Sequence, residues 1–545
     1  MHHRAIAANI EPHGRRLEAW ALPLILLVAF AFLYLSLFCL PCTPIFRAGD
    51  ENIFLLNATR MLDGQVMYRD FFELTAPGIT SLDLGLFKIF GPRDWISSAS
   101  LVAVELGLTC LILALSRRVL SGGFIILPAA LFLTCVFGFM LDDTHHWYST
   151  LAELGAVMMI IEKRTRARLM VAGALCGLAS FFTQTQGALA ALGIVLFLWW
   201  EGRAAGRSRL EIIEPEGYLF VPFVATVIAT NAYFVWKAGL DPFLQCTVTF
   251  VLKYYSAGRE SNSIYALLYE FAQVAHWHAL PSLGIFLFVH ALPLVYVWFW
   301  MWHRHADLAP ELDARLILLC IVGLFVFAGV ALAPTTYRVS TVTPLGLILF
   351  AYLVSEGKML QRAVTVALWI VVAVAAVFQP LHAQSQQSWP LDLPRGRMVL
   401  DSTYYEEFQW LSQRTIPGEF LFTAAGLEVL YPLALRDPAE VPYVETTDYT
   451  RPERVCNVVE SLEANRVRFV LWDPAFDAKT ELHSREIPAG RLRGYLRRAY
   501  RAVKTFLGGD YRPEGDHLGP LRDYLHSHYH LAKRFPGSLE VWERN

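Results

Sequence analysis

The sequence predicts an α-helical polytopic membrane protein with a soluble α/β domain at its C-terminal end. Three observations carry this: a surplus of apolar residues, an alternation of basic and base-poor loops between apolar runs, and a shift to mixed composition near residue 379. Of 545 residues, 55% are hydrophobic and only 17% charged, with mean hydropathy +0.40. Soluble domains carry about 25% charged residues, and a single soluble core rarely outgrows about 300 residues. The excess apolar surface therefore has to face lipid. The net charge of −2 offers no field for a polyanion, so nucleic acid is not an expected partner.

About eleven apolar runs are candidate spans of a module over 1–378: Trp20–Leu40, Trp95–Leu115, Gly123–Leu141, Trp147–Ile161, Leu169–Phe182, Gly187–Trp200, Tyr218–Trp236, Pro281–Trp302, Leu316–Leu332, Val339–Val354 and Ala363–Phe378. The first run is too long for a signal-peptide core and no small-x-small cleavage site follows it, so it reads as a retained span. Several others are short of a full span, and flanking Trp147, Trp199 and Trp200 extend them into the interface.

Every second loop is basic. Arg15 and Arg16 precede the first span. Then come Arg117 and Arg118; Lys163, Arg164, Arg166 and Arg168; Arg203, Arg207 and Arg209; Arg304 and Arg315; and Lys358 and Arg362. By the positive-inside rule the N-terminus is cytoplasmic, and an odd number of spans leaves the C-terminus outside the inner membrane, on the periplasmic side. Two outside loops are long, 41–94 and 237–280. The first contains an amphipathic stretch, Ile79–Phe90, suited to lie on the membrane; the second contains Phe243–Tyr255 and Ile264–Ala275. From 379 to 545 the chain reads as the soluble domain. FLFTA, VRFVLWD and LEVWER are strands; RLRGYLRRAYRAVKTF and PLRDYLHSHYHL are helices. The eight cysteines are scattered. Cys39 and Cys42 form a C-x-x-C without a thioredoxin-like βαβ context, leaving a local disulfide or two free thiols.

The first outside loop, FRAGDENIFLLNATRMLDGQVMYRDFFELTAPG, holds the most chemistry. Asp50 and Glu51 precede a stretch in which Ile53, Leu56 and Met61 recur at helical spacing. The acidic pair should open a short helix, where the dipole favours a carboxylate by about 0.3–1 kcal/mol. The same position suits a general base for a hydroxyl acceptor, at a depth that a lipid-linked substrate can reach.

The ordered set Asp50-Glu51, Gly64, Tyr68-Arg69-Asp70-Phe71 and Pro77-Gly78 resembles the first periplasmic loop of the GT-C glycosyltransferases. Within them it is similar to the bacterial branch of the protein O-mannosyltransferase and aminoarabinose-transferase group, glycosyltransferase family 39-like. The motif likeness covers Ala48–Gly91, and the topology likeness covers the whole chain. It implies a GT-C-like fold and transfer of one sugar from a polyprenyl-phosphate donor to a lipid, glycan or protein acceptor outside the cytoplasmic membrane, with inversion. By the same resemblance Asp50 is the catalytic base and Glu51 the second acid of the pair. The departing phosphate requires positive charge, from Arg, Lys or a divalent cation.

The candidates for that charge are Arg69 beside Tyr68, Lys253 and Arg259 in the second long loop, and Arg338 beside Tyr337 at the outer end of a span. Arg grips phosphate through paired hydrogen bonds, whereas interfacial bases also snorkel to lipid headgroups. In LDDTHHWYST, Asp142, Asp143, His145 and His146 supply carboxylate and imidazole in a pattern suited to Mn or Zn, with Mg also considered; the plain alternative is a hydrated loop capping a helix. Glu105 and Glu153 lie inside spans and also suit a transporter, and Asn57-Ala58-Thr59 matches a glycosylation sequon. Three alternatives stand beside the transferase: a flippase or transporter for lipid-linked glycans, an O-antigen-ligase-like enzyme and a non-catalytic scaffold. A transporter would show paired broken helices and internal symmetry, and no repeat is visible.

Overall fold

The computed structural model describes residues 21–255, 262–275, 280–357, 361–386, 389–441, 444, 449–477, 516–535 and 539–545. Each apolar run coincides with helical structure there, in forms set by local sequence. Five helices are long and apolar enough to cross a membrane: Trp95–Ser116, Gln184–Ala204, Arg209–Ala238, Pro310–Val330 and Gln361–Ser385. A sixth span is available if Leu280–Ala291 and Leu294–His303, bent by 45°, act as one. Pro293 sits at that break and cannot donate the hydrogen bond that would continue the helix. The remaining runs form shorter helices, among them Ala21–Leu37, His145–Ile160, Arg166–Phe182 and Pro344–Glu356.

The run Gly123–Leu141 departs most from a regular span. It divides into the 3-10 turn Gly122–Ile125, the helix Leu127–Leu131, the π-turn Phe132–Val136 and the 3-10 turn Phe137–Phe139. Irregular backbone at membrane depth must be satisfied by protein. Gln379, from the last long helix, does this by donating to the Thr134 carbonyl at 2.8 Å. One continuous apolar core, from Leu33 through Trp147 and Phe197 to Leu349, joins these helices.

The C-terminal part begins beyond the Gln361–Gln386 helix with the hairpin Trp389–Leu393/Gly396–Leu400. Its four-stranded sheet pairs Leu421–Thr423 parallel to Phe469–Trp472, then Glu540–Arg544 antiparallel, then Tyr529–Arg534 antiparallel at the edge. All three expected strands are present. The helix expected over PLRDYLHSHYHL stops at His528, and Tyr529 onward forms the edge strand instead. The buried Tyr529 ring, with its hydroxyl donating to the Val467 carbonyl at 2.7 Å, ties that turn to the sheet. The expected helix RLRGYLRRAYRAVKTF lies outside the described residues.

This C-terminal part packs directly on the first long loop, 41–94. Phe46 and Leu56 share a core with Leu400, Phe408 and Leu411, and the Phe46 amide donates to the Val399 carbonyl at 2.9 Å. The helix Gly78–Phe90, expected to lie on the membrane, buries Phe87 against Tyr431 of this domain. Asp94 is buried at the same junction beside Arg395. Burial raises its carboxyl to about 7, against the pull of Arg395 and Arg93. The folded value lies above the unfolded one, so its contribution to stability is complete below the unfolded pKa and lost as pH rises through about 7. Asp94→Asn should flatten that dependence. Thermal unfolding of both proteins between about pH 5 and about pH 8 checks it.

Candidate active site

The chain leaves Ala21–Leu37, makes the short hairpin Phe38–Cys39/Thr43–Pro44 and enters the helix Glu51–Leu62, with Asp50 at its N-cap position. The acidic pair does open a helix, and its members face different surroundings. Glu51 is buried, pairs with Arg47 at 2.8 Å and accepts the Asp143 amide at 3.2 Å. Asp50 is ringed by protein atoms but keeps one face open to solvent, and its side chain makes no capping bond.

What fixes Asp50 is its backbone. The Asp142 carboxylate accepts the Asp50 amide on one oxygen and the Glu51 amide on the other, each at 3.0 Å. Amide donors of a helix start are free for such a bond, and a carboxylate there also meets the positive end of the dipole. Gly49 makes the approach possible: a Cβ there would lie 2.7 Å from the Asp142 carboxyl. Gly49→Ala should therefore push Asp142 off the helix start and lower any activity that depends on Asp50 by about tenfold or more. Comparing that loss with the shift in thermal midpoint separates misplacement from unfolding.

Asp142 and Asp143 are held in turn by the start of the His145–Ile160 helix. Trp147 donates its indole N–H to the Asp142 carbonyl at 3.1 Å, and the Tyr148 hydroxyl donates to Asp143 at 2.8 Å. His145 bonds Thr183 at 2.8 Å and His146 bonds Gln186 at 3.4 Å, with the two imidazoles in contact at 34° to each other. The four residues considered as metal ligands are thus engaged with protein. Among the described residues no three His, Cys, Asp or Glu side chains are grouped to hold a metal ion. The ligand set anticipated from LDDTHHW is therefore not gathered among the described residues.

Arg338 completes the site. It lies on the short helix Thr336–Thr341 and donates to the Tyr255 hydroxyl at 2.5 Å and to Asn262 at 2.8 Å, which ties the second long loop to this place. Glu270, from the same loop, accepts the Thr336 amide and hydroxyl at 2.6 and 2.7 Å. The neighbouring Tyr337 bonds the Thr144 hydroxyl and packs on His146 and Trp147. The Arg338 charge acts directly on Asp50. Burial among protein atoms raises the Asp50 carboxyl, and Arg338 opposes the rise. Asp142 is pushed up as well, by burial and then by the charges of Asp50 and Glu51, while the two amides it accepts pull it down.

The other candidates lie elsewhere. Arg69 is half-exposed and forms a bidentate pair with Asp70. Tyr68 is buried in a left-handed backbone conformation, its ring between Phe234 and Phe243 and its hydroxyl on the Thr75 carbonyl at 2.8 Å. The Tyr-Arg-Asp-Phe motif is therefore a tight turn that shapes the loop. The matched Pro77-Gly78 has a similar use: a Cβ at Gly78 would meet the Phe181 carbonyl at 2.5 Å. Lys253 is exposed, and Arg259 lies outside the described residues.

Sequence reasoning passed over Arg47, Asn262, Glu270 and Glu73. Glu73 is buried, accepts bonds from Asn57 and Thr75 at 2.8–2.9 Å, and feels the charge of Asp50. Its signal was an acid between the apolar Phe71-Phe72 and a Pro-Gly turn.

No protein-family model and no curated protein matches the chain. Solved structures do. ArnT from Cupriavidus metallidurans in the apo state superposes with a TM-score of 0.55 at 12% identity, covering 95% of this chain and 97% of ArnT. The same protein bound to undecaprenyl phosphate gives 0.50 at 12% identity, covering 96% and 98%. The archaeal oligosaccharyltransferase AglB from Archaeoglobus fulgidus, in complex with an inhibitory peptide and a dolichol-phosphate, gives 0.46 at 12% identity, covering 97% of this chain and 75% of AglB. The ArnT superpositions show that this chain shares the ArnT fold along nearly its whole length.

Proposed function

We propose that this chain is a multi-pass membrane glycosyltransferase that moves a sugar from a polyprenyl-phosphate carrier to an acceptor on the outer face of the cytoplasmic membrane. One observation carries the proposal: an accessible carboxylate, Asp50, stands in the field of Arg338, and its backbone is clamped by Asp142. An acid and a guanidinium within electrostatic reach of each other meet the two demands of a single displacement at an anomeric carbon. The acid accepts the acceptor's proton, and the cation receives the departing phosphate. The surrounding protein raises the Asp50 carboxyl above the ordinary aspartate range, which makes it a stronger base once ionised.

Support also comes from the ArnT fold, since that protein binds undecaprenyl phosphate, and from the ordered motifs of the first loop. The orientation that puts Asp50 outside follows from the basic loops, with about eleven crossings, a cytoplasmic N-terminus and a periplasmic C-terminal domain over 379–545. No step is assigned to a metal. Glu51, Asp142 and Asp143 act as the frame that aims Asp50, and Tyr68 and Arg69 as scaffold. The direct test is equilibrium binding of undecaprenyl phosphate to the purified protein. Arg338→Gln should weaken it about tenfold or more, and Arg69→Gln should leave it within about twofold. Equal loss in both would move the phosphate site away from Arg338.

A further inference from the structure

A second charged site lies at the opposite end of the bundle. The helix His145–Ile160 begins at the acid cluster and, over 16 residues, carries the chain about 24 Å away before the turn that holds Arg164. There Arg164, Leu198, Glu201, Arg207, Ile212 and Pro215 line a cavity of about 250 Å³. We propose that this cavity binds a phosphate anion, supplied by an anionic lipid headgroup or as free phosphate.

Three features of its walls support this. Arg164 is held in place, with its guanidinium over the Phe197 ring at 5.1 Å and 3.2 Å from Glu201, yet its Nε is buried without a hydrogen-bond partner among the described residues. A buried unpaired donor is costly, and an oxygen in the cavity would satisfy it. Arg207 makes no ion pair among the described residues, and the capping box of Ser208 with Glu211 fixes the turn that presents it. Positive charge is still in excess: Arg207 and Arg315 both act on Arg164 against Glu201, with Glu211 the acid that feels Arg207. The neighbouring bases Arg118 and Arg166 are each matched by an acid, Glu162 and Glu214. Guanidinium groups grip phosphate oxygens in pairs, and basic pockets between spans take lipid headgroups. Leu198, Ile212 and Pro215 give the apolar wall that a glycerol backbone would need.

The test uses the full chain and reads its thermal midpoint. One arm compares phosphatidylcholine nanodiscs with and without phosphatidylglycerol; the other adds inorganic phosphate to protein in detergent. A rise of about 3 °C or more is expected in at least one arm. A rise with phosphatidylglycerol alone identifies a headgroup, and a rise with inorganic phosphate identifies the free anion. The combined R164Q and R207Q substitutions should abolish the rise. R207Q alone, at an exposed side chain that leaves the fold intact, should reduce it. R203Q, which removes a guanidinium from the Trp199 face outside the cavity, should preserve it. No rise in the parent protein, or an undiminished rise in R207Q and the double variant, would overturn the proposal.

Discussion

Replacing Asp50 by asparagine is expected to lower sugar transfer by about 10³-fold while leaving undecaprenyl phosphate binding unchanged. The amide is nearly isosteric, and the Asp50 side chain makes no capping bond, so the helix start and its Asp142 clamp survive. What disappears is the group able to take a proton. The loss should fall on the rate of the chemical step, measured in a single turnover, and the thermal midpoint should hold or rise because a raised, partly buried carboxyl has been neutralised. Glu51→Gln is expected to behave differently. It breaks a buried pair with Arg47 at 2.8 Å, so protein stability falls along with activity.

The second large effect concerns Arg338. Arg338→Gln should slow transfer by about 10²-fold and move the acid limb of kcat/KM to higher pH. The sign follows from the two influences on Asp50. Burial raises its carboxyl above the ordinary aspartate range, and Arg338 holds that rise in check. A base works only when ionised, so activity is present above the Asp50 pKa and is lost as pH falls through it. Without the arginine the carboxyl rises further, and the loss begins at higher pH. Arg338→Lys keeps the charge but not the forked contact to Tyr255 and Asn262, so it should keep the limb near its original pH while recovering only part of the rate. A uniform fall at every pH in both variants would mean that Arg338 only holds the second loop in place.

Much of this architecture was legible in the sequence because hydrophobic runs and basic loops report directly on lipid and water. The runs located the helices, the shift near residue 379 fell inside the last long helix Gln361–Gln386, and Val-Arg-Phe-Val-Leu-Trp read as a strand. The breaks were less legible. The π-turn Phe132–Val136 depends on Gln379 from a distant helix, and the edge strand Tyr529–Arg534 depends on pairing with Glu540–Arg544. Neither long-range partner leaves a local trace, whereas Pro293 at the bent pair does.

The site divides in the same way. Asp50 was a candidate from its place in the first loop and Arg338 from its place at a span end, and the fold brings their charges within reach of each other. The clamp between Asp142 and the helix start was not legible, because it joins residues 92 positions apart through backbone amides that sequence does not distinguish. For the same reason LDDTHHW read as metal ligands, although Asp142 serves as a cap and the two histidines bond Thr183 and Gln186. Tyr68-Arg69-Asp70-Phe71 carried the resemblance, yet its turn points Arg69 to Asp70 rather than to Asp50.

The most direct measurement is a transfer assay on purified protein in proteoliposomes with a panel of polyprenyl-phosphate sugars and envelope extract as acceptor. It reads release of free polyprenyl phosphate and the anomeric configuration of the product. The expected result is consumption of at least one donor by the parent protein, with inversion, and none by D50N. The opposite result would be D50N turning over as fast as the parent, or a parent protein that moves intact donor across the bilayer and consumes none of it.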